Sequence, residues 1–361
     1  MTGNPPVVRN GLVITPTGST EADVSIEGGL ITSVGKMGQV GRLDFDATGL
    51  VVAPGLIDLQ VNGVAGHDVS SHPDSIWPAG EWLATTGVTA YLPTVITGSD
   101  PGPAIDTMLA GPPSGFRGAL PLGLHLEGPF LAAEARGTHS DAFLRPPSLE
   151  EAQSWAHSGV VTMVTLAPEL PGATEVIRVL RAAGVVAAAG HSLATYDEAA
   201  SAAAVGVTHG THLFNAMPPL HHRAPGLAGF LLTEPGLTAG VIADGVHLHP
   251  AMVTLAWRAL GPDRLVLVTD AVAAAGLGDG DHPLGPMAVT VEGGVTVGPD
   301  GQLAGSVLTL DQAVRNLVRF TGCRLDQAIV AASTVPARVI GDTTRGRVAV
   351  GARGDLTIFD P

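Results

Sequence analysis

The chain is poor in cysteine, in charge and in long apolar runs, and each shortage narrows what it can be. A single cysteine, Cys323, in 361 residues rules out an internal disulfide and suits a reducing, cytoplasmic setting. No run of about 18 apolar residues occurs, so no transmembrane span is expected. The opening stretch MTGNPPVVRNG lacks the basic n-region and apolar h-region of a secretory signal. Only 14% of residues are charged, and 33 Asp and Glu against 18 Lys and Arg leave a net charge of −15. That balance argues against nucleic acid and anionic membrane as partners. It leaves room for one small anionic substrate, because a few local cations and helix N-termini can hold a phosphate. No internal repeat and no low-complexity linker interrupts the chain.

What is present is apolar and small. Hydrophobic residues make up 45%, with 48 Gly, which suits tight α/β packing. Residues 6–50 read as short strands (VVRNGLVITP, ADVSIEGGLITSVG, GRLDFDATGLVVAP) with Asn-Gly and Gly-Gly turns and no helical period. The C-terminal GRVAVGARGDLTIFD has the same texture, and its last strand stops abruptly at Pro361, as a trimmed end would. Between them, apolar strands alternate with Ala-rich helical stretches. The strands are GLIDLQVNG, VTAYLPTVI, LPLGLHLEG, VVTMVTLAP, GVVAAAGHS, GVTHGTHLF, LTAGVIADG and RLVLVTDAV. Helices are expected at SIWPAGEWLATTG, GATEVIRVLRAAG, TYDEAASAAAVG, HPAMVTLAWRALG, LTLDQAVRNLVRFTG and, as one piece, LDQAIVAASTVPARVIG. Strands in βα alternation predict an α/β protein, a (β/α)8 barrel over 53–340, with a small β-sandwich built from both termini, 1–52 plus 341–361. Residues 284–306 read as a β-hairpin inserted after the eighth strand.

Several of these strands deliver one polar residue at the C-terminal end, where such a barrel builds its site. Glu127 ends LHLE, His191 follows GVVAAAG, His212 ends VTHGTH, and Asp270 ends LVLVTD. One carboxylate and two imidazoles form a ligand set that suits Zn²⁺, Fe²⁺, Co²⁺ or Mn²⁺ without ranking them. A late aspartate beside them is placed to act as acid and base for a water and a leaving amine. The plainer alternatives are a surface glutamate, buried bonded histidines and a helix-capping aspartate. His209 reads as a spare, further down its strand or facing out. His139, in the loop after Glu127, is placed to polarise a carbonyl. His247 is placed to meet a substrate hydroxyl, and His249 reads as a helix-entry residue. Asn215 and Ala216 follow the His212 strand, where free backbone N–H groups can bind an anion. His222 and Arg223 are the nearby cations, with a plain surface loop as the default reading.

LHLEGPF, AGHS, THLFNAM, HHRAPGLAG, ADGVHL and VTDAVAAAG, in this order and spacing, resemble the N-acetylglucosamine-6-phosphate deacetylases of the amidohydrolase superfamily over nearly the whole chain. The resemblance implies a cytoplasmic enzyme of amino-sugar breakdown and cell-wall recycling that hydrolyses N-acetyl-D-glucosamine 6-phosphate to D-glucosamine 6-phosphate and acetate. It implies Glu127, His191 and His212 as metal ligands, Asp270 as acid/base and His139 as the group polarising the acetamide. It also implies Asn215, Ala216 and Arg223 as phosphate contacts, His247 as a sugar contact, and a homodimer in which Arg223, with His222 helping, reaches the neighbouring site. Many amidohydrolases carry His-x-His on the first barrel strand, holding a second metal. Gln60 and Asn62 stand there in this chain, and amides are weak ligands but good hydrogen-bond partners. One metal per subunit is therefore expected, with Gln60 and Asn62 lining the unused position. An acetylated galactosamine 6-phosphate or a cyclic amide as substrate, and a non-catalytic scaffold, are the competing readings.

Overall fold

Eight short parallel strands stand side by side around a barrel axis in the computed structural model, which describes residues 7–38, 44–98 and 100–361. In chain order they are Leu56–Val61, Val88–Ile96, Leu124–Glu127, Val161–Leu166, Val186–Ala189, Val207–Gly210, Thr238–Val241 and Leu265–Leu267. Each pairs in parallel with the next. The ring closes between the eighth strand and the first by a few bonds rather than a long ladder. Asp270 N–H donates to Gln60 O at 3.0 Å, and Asn62 N–H donates to Ala271 O at 2.8 Å. The strands are covered outside by helices and filled inside, so they read as continuous apolar runs rather than alternating ones. Leu59, Met163, Leu166, Val241 and Val266 are among the buried core.

Beneath the barrel mouth lies a layer of buried polar side chains that bond to one another or to backbone, as buried polar groups must. His125, two residues before Glu127 on the same strand face, shares hydrogen bonds with Leu59 O at 3.1 Å and Thr165 Oγ1 at 2.7 Å. Thr165 Oγ1 meets Thr211 Oγ1 at 2.7 Å, and Thr269 Oγ1 donates to Asp58 Oδ2 at 2.6 Å. His209 is buried and bonds Thr238 Oγ1 at 2.8 Å, further down its strand as expected.

Strands from both chain ends share a second sheet. Its order is Leu356–Phe359, Val51–Pro54, Val7–Thr15, Gly18–Glu27 and Leu30–Gly35, with Phe45–Asp46 beside Val7–Thr15. Val13, Val24, Ile31, Val52 and Val348 form a separate small core there. No helix among the described residues is long and apolar enough to cross a membrane.

Local details differ from the sequence reading. The first six residues and positions 41–43, read as part of the opening segment and of a strand, lie outside the described residues. Asn10-Gly11 is not a turn: the register slips between Val8 and Gly11 within one strand, and Asn10 takes a φ of 58°. LPLGLHLEG is two pieces, Leu120–Pro121 and Leu124–Glu127, because Gly123 at φ 110° breaks the extended run. The expected hairpin at 284–306 is a three-stranded meander, Gly280–Leu284, Met287–Glu292 and Val295–Val297. The last helix is two, Leu325–Ala332 and Thr334–Val339, because Ser333 leaves helical geometry and turns its hydroxyl back onto Ile329 O at 2.6 Å. Of GRVAVGARGDLTIFD only Leu356–Phe359 is strand.

Candidate active site

Glu127 is the last residue of the third barrel strand, and its carboxylate gathers the neighbours. His191 Nε2 lies 3.2 Å and His212 Nε2 3.1 Å from Glu127 Oε1, and the two imidazole nitrogens are 3.1 Å apart. All three side chains are buried. Donors at tetrahedral distances around one zinc-sized ion stand about 3.3 Å from each other, so this triangle fits a single divalent cation. His191 Nδ1 is committed to Ala135 O at 3.0 Å, which leaves the Nε2 lone pair for a ligand bond in the neutral ring. His139 joins from the loop: Glu127, His139 and His191 each put one ligand-capable atom within 4.8 Å of the others. His139 Nε2 stands 3.9 Å from Glu127 Oε2, so of the two candidates for third donor His212 has the tighter fit.

The backbone shows where these residues are held. His191, His212 and Asp270 have φ of 48°, 27° and 51°, and Phe214 and Ala216 have 75° and 51°. Left-handed conformations cost non-glycine residues of order 1–3 kcal/mol and cluster at functional sites. Gly305 permits the close approach behind Asp270, since a Cβ there would lie 2.8 Å from Asp270 O and 2.4 Å from Val272 Cγ1.

Two amides, one on the first strand and one just past its end, bond the acids. Gln60 Nε2 donates to Glu127 Oε1 at 2.9 Å and to Asp270 Oδ1 at 3.1 Å, and Asn62 Nδ2 donates to Asp270 Oδ1 at 2.8 Å. Burial and then the Glu127 charge push the Asp270 carboxyl up to about 6. Burial also favours a neutral Glu127, but the His191 and His212 rings in their protonated form donate to it, overcome burial and hold that carboxyl well below its ordinary range. Burial, reinforced by the neighbouring His191, pushes His139 down to about 3 and keeps its ring neutral. Two nearby carboxyls with separated pKa values are suited to separate duties.

An open cavity of about 660 Å³ sits over this cluster. Asn62, Glu127, His139, His191, His212, Asn215, Ala216, His247 and Asp270 line it, while Gln60 lies buried just behind, bonded to both acids. The cavity wall also includes Leu284 and Leu303 from the meander and the loop after it, which the sequence reading missed. Their only signal was the insertion after the eighth strand.

One expectation about the anion site changes. Asn215 N–H is not free: it donates to His212 O at 2.9 Å, because the left-handed Phe214 and Ala216 fold this segment into a tight turn. Ala216 N–H remains without a hydrogen bond among the described residues. His222 and Arg223 are not brought to the cavity of their own chain. Both are exposed, with Arg223 Nη1 at 2.9 Å from His222 Nε2. His249 caps the helix Pro250–Arg264, accepting from Ala251 N–H at 3.1 Å.

A model of the amidohydrolase family matches residues 51–361. Over 337 residues the chain is 40% identical to the N-acetylglucosamine-6-phosphate deacetylase of Homo sapiens, covering 87% of this chain and 81% of that protein. The N-acetylglucosamine-6-phosphate deacetylase of Lysinibacillus sphaericus is 34% identical, covering 98% of this chain and 93% of its own. A solved structure of a mutant N-acetyl-D-glucosamine-6-phosphate deacetylase from Mycobacterium smegmatis, in complex with N-acetyl-D-glucosamine-6-phosphate, is also similar. Its TM-score is 0.90 at 33% identity, over 99% of this chain and 96% of that one.

Proposed function

The chain belongs to the amidohydrolase family and is a hydrolase of amide bonds, and on that premise we propose that it removes acetate from N-acetyl-D-glucosamine 6-phosphate, leaving D-glucosamine 6-phosphate. The observation that carries this reading is the convergence of Glu127, His191, His212 and Asp270 on one cavity in a chain 40% identical to a deacetylase of that substrate.

Glu127, His191 and His212 would hold one divalent ion, with zinc the first expectation and iron, cobalt or manganese compatible with the same donors. When bound, such an ion supplies a Lewis acid for the acetamide carbonyl and lowers the pKa of water. Asp270 takes the proton of the attacking water and returns it to the departing nitrogen. A carboxyl near 6 is basic enough to accept that proton and acidic enough to give it back. Gln60 and Asn62, donating to Asp270 Oδ1, aim its carboxylate and line the position a second metal would take. Neutral His139 offers a ring N–H to the acetamide oxygen and stabilises it as it gains negative charge. His247 meets a sugar hydroxyl. Ala216 N–H faces the phosphate, and Asn215, with its N–H and Nδ2 donating to His212 O and Nδ2 also to Leu213 O, holds the turn that presents it.

Arg223 and His222 supply the phosphate's cations from a second subunit. Both are exposed and neither lines its own cavity, as a homodimer in which each chain completes its neighbour's site requires. The single cysteine, Cys323, fits a cytoplasmic enzyme, and the product fits amino-sugar breakdown and cell-wall recycling. We read the chain as two units, 53–340 around the barrel and 1–52 plus 341–361 around the second sheet. The separate apolar core of that sheet supports the division.

Acetate release measured side by side on N-acetylglucosamine 6-phosphate and N-acetylgalactosamine 6-phosphate tests the substrate. A higher kcat/KM for the glucosamine form is expected. Preference for the galactosamine epimer would replace the proposed substrate while keeping the chemistry.

A further inference from the structure

Beyond the seventh barrel strand, Thr238–Val241, the chain turns through Asp244 into the segment that presents His247 to the cavity. Asp244 Oδ1 accepts the backbone N–H groups of Val246 and His247, each at 2.8 Å. Its other oxygen, Oδ2, lies 2.6 Å from His247 Nδ1. The two side chains are 13% and 8% exposed. His247 lines the cavity with Glu127 and Asp270, whereas Asp244 stands behind the ring, outside that lining.

We propose that Asp244 is a positioning residue, which holds the ring proton of His247 on Nδ1 and thereby gives Nε2 to the substrate's sugar hydroxyl. The inference rests on the reading above that His247 meets the sugar. A carboxylate is acceptor-only, so the nitrogen facing it must carry hydrogen. Burial favours a neutral Asp244, but bonds from His247 and the two backbone N–H groups reverse this and hold it below the usual carboxylate range. Nε2 takes no hydrogen bond from the described residues, so it is the ring atom left for a ligand. Nε2 then meets a substrate hydroxyl in fixed geometry, and a substrate lacking that hydroxyl leaves the pair unmatched.

Long-range 1H–15N spectra of the metal-loaded protein test this without substrate, with the His247 signals assigned by their loss in His247→Gln. The wild type should show Nδ1 protonated. Asp244→Ala should move the proton wholly or partly to Nε2. Asp244→Asn, which keeps the volume and guards against misfolding, should turn the bond round and also protonate Nε2. Kinetics on N-acetylglucosamine 6-phosphate should show KM raised about five- to tenfold by Asp244→Ala, the worth of one hydrogen bond, with kcat changed far less. On a His247→Ala background the same substitution should cost nothing further in kcat/KM. An unchanged tautomer in both Asp244 variants, or additive losses in the double variant, would overturn the inference. The predicted tautomer change in a protein that releases no acetate would sustain the positioning role and overturn only the substrate reading.

Discussion

Gln60 ties Glu127 to Asp270. One amide nitrogen lies 2.9 Å from the carboxylate of the first and 3.1 Å from that of the second. The group proposed to hold the metal and the group proposed to move the proton are thus fixed by the same side chain, from a strand that carries no imidazole of its own.

Gln60→Ala should therefore weaken both functions at once. Loss of a hydrogen bond to a ligating carboxylate costs about 10–100-fold in metal affinity or activity. Metal titration followed by elemental analysis, with kcat measured at saturating metal, separates the two effects. Wild-type values for both would mean that the Gln60 bonds are not functional.

Asp270→Asn keeps the side-chain shape and an oxygen for the Gln60 and Asn62 amides, but it cannot take a proton. Turnover should fall by about 10²–10⁴-fold, the usual worth of general acid–base catalysis, with metal content intact. Undiminished turnover would remove Asp270 from the mechanism.

The pH dependence has a defined sign. Asp270 must be ionised to accept a proton, and burial raises its carboxyl from the ordinary 3.8 to about 6. Activity should rise with pH through an acid limb and level off above it. A bound cation favours the ionised form, so the limb of kcat/KM should lie at or below about 6. A limb clearly above that value would assign it to another group.

Arg223 and Asp270 can be tested together. If Arg223 serves the neighbouring site, Arg223→Ala and Asp270→Asn should each be poorly active alone, and mixed dimers should regain activity. In a mixed dimer one site keeps its own Asp270 and receives the partner's intact arginine. No recovery in verified mixed dimers would contradict the shared site.

How far the sequence discloses all this depends on the kind of signal. Glu127, His191, His212 and Asp270 are legible because each follows an apolar strand, and the eight strands themselves stand out as apolar runs between Ala-rich helices. His125 and Asp58 are not legible as an internal polar layer. A polar residue one layer below the mouth has the same strand periodicity as one at the mouth. The left-handed backbone at His191, His212 and Asp270 leaves no mark in composition, since turn signals rely on glycine and asparagine. The same blindness misplaced the Asn215 N–H, whose fate depends on Phe214 and Ala216 adopting positive φ. Leu284 and Leu303 reach the cavity from an insertion whose docking no local pattern encodes. The Asp244–His247 pair lies within one turn, yet only the 2.6 Å contact distinguishes it from two solvated side chains.

Acetate release from N-acetylglucosamine 6-phosphate, before and after chelation and again after zinc is added back, tests the central claim most directly. The account predicts release that disappears with the metal and returns with it. A folded, metal-loaded protein that releases no acetate would contradict it.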